Sequence, residues 1–234
     1  MSDFKIIPEI VELNLFYDLE EPILKDDLIN ALKDRGFTEE EARSPEFIEV
    51  PGVGILEKVT IAKKRGCNVN YDTKRGVLGV LGNSLENVPA VFKELKEIAD
   101  ELDLLKDVKK CEFHTRCKIQ IGKKPVSSLK LISQAFQGRY LPENKINKIS
   151  EIFGVELQPF CIRLYPKSSE EFIGNLREKP DWVDLYIFPY ISNTRYFSLW
   201  IVFRDRDPDN VYNFANSARD TIKKIMEVLI DDGA

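Results

Sequence analysis

The side chains best suited to metal ligation or nucleophilic chemistry are few: one histidine and four cysteines in 234 residues. Three of them, Cys111, His114 and Cys117, fall within CEFHTRCKIQI, whose alternation of residue types predicts a β-strand. A two-residue repeat puts Cys111, Phe113, Thr115, Cys117, Ile119 and Ile121 on one face, which reads as core. Glu112, His114, Arg116, Lys118 and Gln120 take the other. The imidazole is thereby set opposite the two thiols beside it, whereas a zinc site needs convergent ligands, so no metal is expected. The opening residues MSDFKIIPEI show no basic region followed by an apolar signal core. A cytoplasmic chain with free thiols is the expectation, in preference to a disulfide framework.

Recognisable catalytic patterns are few. G-x-S-x-G, H-E-x-x-H and paired C-x2-C are absent from the sequence. A Ser/His/Asp mechanism would have to use His114, which no motif supplies with a partner. GVLGVLG (76–82) lacks the spacing and terminal Lys of a phosphate loop and lies inside a strand pattern, where Gly79 reads as a site of close backbone approach. The carboxylate pairs Asp26/Asp27 and Glu39/Glu40 read as surface residues. No catalytic residue and no cofactor are expected, and an enzyme without a local motif ranks third among the functional readings.

Two other sets have the chemistry of binding. Residues 55–75 hold six basic and two acidic side chains, and residues 106–124 hold seven and two, although the whole chain carries −5. Met1 to Gly54 alone contributes −9. Lys63, Lys64, Arg65, His114, Arg116, Lys118, Lys123 and Lys124 therefore form a candidate phosphate-contacting set for nucleic acid or another polyanion. The same lysines would also serve to protect sheet edges. The second set is aromatic. In VDLYIFPYISNTRYFSLWIVF, Tyr186, Phe188, Tyr190, Tyr196 and Trp200 make even the non-core strand faces apolar, whereas a solvated sheet face is polar. Such faces are expected to be covered, by the closing helix on one side and by the other half of the chain, a second copy or a ligand on the other. Protein–protein contact, self-association included, is the leading functional expectation, and polyanion binding is the alternative.

These residues must be positioned by regular elements, and an internal similarity constrains them. A shift of 104 residues aligns Val11–Leu19 with Thr115–Lys123, and Ala31–Ala42 with Ala135–Ile146. A shift of 123 aligns the closing helices through Val88/Val211, Val91/Phe214, Leu95/Ala218 and Leu102/Ile225, which implies about 19 extra residues in the second half. Each unit is expected to run β-α-α-β-β-β-α, with antiparallel sheets backed by long helices: an α+β class with units at 1–105 and 106–234, and an insertion near 167–181.

In the first unit, a helix opens at Pro22 and stops near Gly36, and Thr38 with Glu41 has capping-box spacing for a short helix that ends by Pro45. Strands ILEKVTIA, CNVNY and VLGVL follow, joined by KKRG and DTKRG turns, and Ser84 caps a helix to Leu102. In the second unit, PVSSLKLISQAF and PENKINKISEIF read as helices, the latter stopped at Gly154. PFCIRLY, VDLYIFPYI and TRYFSLWIVF read as strands, and Asp207-Pro208 opens the closing helix.

This order of elements resembles the two-unit architecture of the TATA-binding protein family, in which each unit is strand, helix, several strands and helix. A helix-grip fold has a similar order. The resemblance implies sheets joined as a saddle. The family's DNA-wedging Phe pairs are replaced here by KKRG and SSEEF at the corresponding turns, so no functional residue is carried across. With 43% apolar residues and 14 Phe, the chain is not of the disordered class, and its 12 Gly and 12 Pro exclude collagen-like repeats. Its longest apolar runs fall short of the roughly 18 residues that a membrane span needs. Abundant Lys and Glu with little Gln is a composition found in thermophiles.

Overall fold

The computed structural model describes residues 4–17, 25–40, 46–50, 54–72, 76–121, 127–136, 143–156, 158–167 and 179–230. Chain order is β1 (Phe4–Tyr17), α1 (Lys25–Asp34), β2 (Thr38–Glu39), β3 (Glu46–Val50), β4 (Gly54–Lys64), β5 (Cys67–Asp72), β6 (Val77–Gly82) and α2 (Asn87–Glu101). After a 3-10 turn at Leu104–Asp107 come β7 (Val108–Ile121), α3 (Ser128–Phe136), α4 (Glu143–Phe153), β8 (Ile162–Leu164), β9 (Trp182–Pro189), β10 (Tyr196–Asp205) and α5 (Pro208–Ile230). The class is α+β.

Among the described residues all strand pairs are antiparallel and join into one sheet of order β2-β4-β5-β6-β1-β7-β10-β9-β8, with β3 on the first part of β4. The plural sheets expected from the sequence are thus a single surface. Its centre is the long β1–β7 ladder, running from Phe4↔Ile121 to Tyr17↔Val108. On either side of that seam the last strand of each half, β6 or β10, lies beside the first, followed by the preceding strands in turn.

Local chemistry accounts for most boundaries. Arg65 (φ 50°) and Gly66 (φ 74°) form the two-residue loop closed by Lys64↔Cys67, the geometry of a hairpin turn whose twist matches its strands. The Ser84 hydroxyl accepts the N–H groups of Glu86 and Asn87 at the start of α2. Asp207 likewise accepts the N–H of Asp209 at the start of α5. Gly154 stops α4 with φ 66°. At Gly79 a Cβ would lie 2.0 Å from the Asn14 Oδ1 and 2.7 Å from the Leu13 carbonyl oxygen, so β1 and β6 approach as closely as the glycine suggests.

Contrary to the capping-box expectation, Thr38 and Glu39 do not open a helix; they pair with Lys63 and Ala62 of β4. Gly36 at φ 75° reverses the chain after α1, and the edge of β4 supplies a backbone ladder that outweighs the capping-box spacing. Pro22 and Pro45 lie outside the described residues. The strand β3, pairing Glu46–Val50 with Gly54–Lys58, was not anticipated.

The helices α2 and α5 lie side by side across one face, joined by Lys96–Asp209 (2.6 Å) and Arg219–Glu86 (2.7 Å). Their apolar stripes, Val88, Val91, Phe92, Leu95 and Ile98 on one and Val211, Ala215, Ala218, Ile222 and Met226 on the other, are buried. Phe214 of α5 stacks on Phe203 (4.2 Å) and meets Phe113 edge-on (5.8 Å). α1 packs against α2, and α3 against α5. One core cluster spans both halves of the chain. α4 is different: its Ile149, Ile152 and Phe153 are exposed.

Candidate functional site

The face of the sheet turned away from α1, α2, α3 and α5 carries the residues with binding chemistry. Register fixes its membership, because directly paired residues point to the same side. On β7 it takes Glu112, His114, Arg116, Lys118 and Gln120. Opposite these on β10 stand Arg204, Val202, Trp200, Ser198 and Tyr196, and beyond them on β9 stand Asp184, Tyr186 and Phe188. Across the seam, β1 contributes Lys5 opposite Gln120, Glu12 opposite His114 and Asn14 opposite Glu112.

Two sets of residues singled out separately in the sequence meet on this face. Tyr186, Phe188 and Trp200 form one aromatic cluster, with ring centroids 4.7 Å (Tyr186–Phe188), 6.0 Å (Tyr186–Trp200) and 5.6 Å (Phe188–Trp200) apart. Tyr190 and Tyr196 make a second contact at 6.4 Å. The Arg116 guanidinium lies 5.7 Å from the Trp200 ring centre, and the Lys118 ammonium lies 4.1 Å from Tyr196 and 4.5 Å from Tyr190, within cation–π range. All seven of these side chains are half-buried. The described strands of the two halves join edge to edge at β1–β7 and do not stack face to face.

Glu9 ties the cluster to the seam, and the sequence reading missed it. The register of β1 shifts between Pro8↔Cys117 and Ile10↔Arg116, leaving Glu9 as the extra residue of a bulge. Such a bulge also accommodates Pro8, which has no N–H to give to a central ladder. The Glu9 carboxylate accepts the Arg116 Nε–H at 2.8 Å and the Tyr190 hydroxyl at 3.1 Å. That hydrogen bond from Tyr190 raises the affinity of its phenol for its proton, and the Glu9 charge adds to the effect. No local sequence pattern marks a bulge, although a proline inside a strand pattern is a hint.

Towards the other end of the strands the face is polar yet buried. Glu12, Asn14, Asn70, Asp72, Glu112, His114 and Arg204 are each 4–8% exposed. Arg204 donates Nε–H to Glu112 at 2.8 Å, pairs with it again through Nη2, and donates Nη1–H to the Lys179 carbonyl at 2.9 Å. Asn14 donates to Glu12 at 2.9 Å, and Thr60 to Asn70 at 2.9 Å. His114 meets the edge of Trp200 at 6.5 Å. Groups of three or more His, Cys, Asp or Glu side chains able to hold a metal are absent among the described residues.

The remaining basic candidates separate from this face. Lys64 and Arg65 both pair with Glu94 of α2, and Lys64 also donates to the Arg35 carbonyl at 2.6 Å. Lys63 pairs with Glu40 at 3.0 Å. Lys123 and Lys124 lie outside the described residues. The four thiols are free. Burial on the helix side pushes the Cys117 thiol up to about 11, and burial likewise raises Cys111 well above its ordinary value.

No protein-family model matches this chain, and a search of curated proteins finds no match either.

Proposed function

We propose that the protein acts by non-covalent binding of a polypeptide partner on the sheet face turned away from the helices, with Tyr186, Phe188, Tyr190, Tyr196 and Trp200 as the contact surface. One observation carries this reading: five aromatic side chains are gathered over β9, β10 and their turn, on the face turned away from α2 and α5, and each stays partly exposed. Tyr, Trp and Arg in a clustered, half-desolvated setting are the residue types that dominate protein interfaces. The polyanion alternative has weaker support. Lys63, Lys64 and Arg65 are all engaged by carboxylates of the chain itself, so a phosphate at those positions would have to displace Glu40 or Glu94.

The mirrored strand order about β1–β7 also supports reading the chain as two related units, residues 1–105 and 106–234, with the element order of the TATA-binding protein family.

Panning a displayed random-peptide library against the full chain tests the binding reading. The expected outcome is a set of enriched peptides whose affinity falls about tenfold or more for Trp200→Ala and Tyr186→Ala. Enriched peptides indifferent to both changes would remove the aromatic face from the argument. Sedimentation velocity at micromolar concentration checks self-association: a dimer that Trp200→Ala disperses would make a second copy the partner.

A further inference from the structure

We infer that the segment bound on this face is acidic, with carboxylates flanking a large apolar or aromatic anchor; this rests on the polypeptide-binding reading above. The charge at one end of the face is one-sided. Among the described residues, Lys5, Arg116 and Lys118 stand there against the single carboxylate of Glu9, although the chain as a whole carries −5. Two of the three cations retain capacity. Lys118 has no carboxylate within ion-pair distance among the described residues, and its charge rests on the faces of Tyr190 and Tyr196. Arg116 gives only its Nε–H to Glu9, which leaves the terminal nitrogens of a half-exposed guanidinium for a further acceptor.

The contrast with the rest of the face is informative. Arg204 is buried and held by Glu112 through two nitrogens, and Arg163 makes a two-pronged pair with Asp184. Those arginines are satisfied within the chain, whereas the Lys118 end is not. The aromatic trio Tyr186, Phe188 and Trp200 begins beside Arg116, so an apolar anchor and a carboxylate on neighbouring residues of one extended segment would reach both. Glu9 disfavours a dense row of phosphates at the same point and is tolerable to a segment with one or two carboxylates.

The test uses the full chain and three labelled probes read by fluorescence anisotropy: a random glutamate–tyrosine copolymer, a random lysine–tyrosine copolymer and oligothymidylate. The glutamate–tyrosine copolymer is expected to bind, with affinity falling as salt rises. Lys118→Gln should weaken it about tenfold, Lys118→Glu more, and Lys118→Arg should restore it. Circular dichroism melts of the three variants control for folding. Equal binding of the glutamate–tyrosine copolymer by wild type and Lys118→Glu, or selected library peptides that need Trp200 but are neutral or basic, would overturn the acidic assignment and leave the polypeptide reading standing. Preference for the lysine–tyrosine copolymer would do the same. Lys118-dependent binding of oligothymidylate without binding of either copolymer would overturn both.

Discussion

Arg204 and Glu112 show how one pair of residues organises a buried region. Their side chains are 7% and 8% exposed, and Arg204 also holds the Lys179 carbonyl at the approach to β9. Removing one partner leaves a charge without its counterion in a place that water scarcely reaches. Arg204→Met is therefore expected to lower the unfolding free energy by about 3–5 kcal/mol, and the double change with Glu112→Leu to recover part of that loss, as read from urea midpoints. Burial raises the Cys117 thiol from its ordinary value of about 9 to about 11 in the folded protein. Between those values the unfolded chain sheds the proton and the folded one does not. The part of stability due to this thiol should be intact below about pH 9 and fall by about 2–3 kcal/mol by pH 11, read as the difference between wild type and Cys117→Ala in a pH series of urea unfolding curves. At pH 8 a thiol reagent should leave Cys111 and Cys117 unmodified in the folded protein and reach all four cysteines after denaturation.

At the level of elements, close approach and edge pairing decide what periodicity leaves open. Gly79 sits where β6 passes β1, and the Leu13 carbonyl that a methyl group would strike belongs to a central strand with little freedom to yield. Gly79→Ala is expected to cost about 1–3 kcal/mol or more, with a lowered urea midpoint and an unchanged m-value. The bulge at Glu9 and the pairing of Thr38–Glu39 with β4 were both beyond reach of the sequence reading. Each depends on a strand that arrives from elsewhere in the chain: β7 in the first case and β4 in the second. By contrast, α2, α5, β5, β6 and β9 follow from alternation, helical spacing and caps that lie within each segment.

On the scale of the molecule, the seam between β1 and β7 makes the halves interdependent. Each half exposes one edge of a fourteen-residue central strand without the other, and the core beneath α2 and α5 is continuous across the seam. Residues 1–105 and 106–234 made as separate chains are expected to aggregate or remain unfolded alone. When coexpressed they should co-purify as a folded pair with the circular dichroism spectrum of the intact chain. Two well-folded, monomeric halves would show that the seam is dispensable.

The α+β class, the helix faces, the hairpin at Arg65-Gly66 and the core face of β7 were readable from residue order, because each is set by interactions between near neighbours in the chain. The aromatic and basic candidates were readable too, but only as two unrelated groups. Their meeting over β7, β9 and β10, the satisfaction of Lys63, Lys64 and Arg65 by nearby carboxylates, and the part played by Glu9 are products of strand register. Register is a long-range property: it depends on which backbone edges find one another, and the type of a single residue carries almost no information about that.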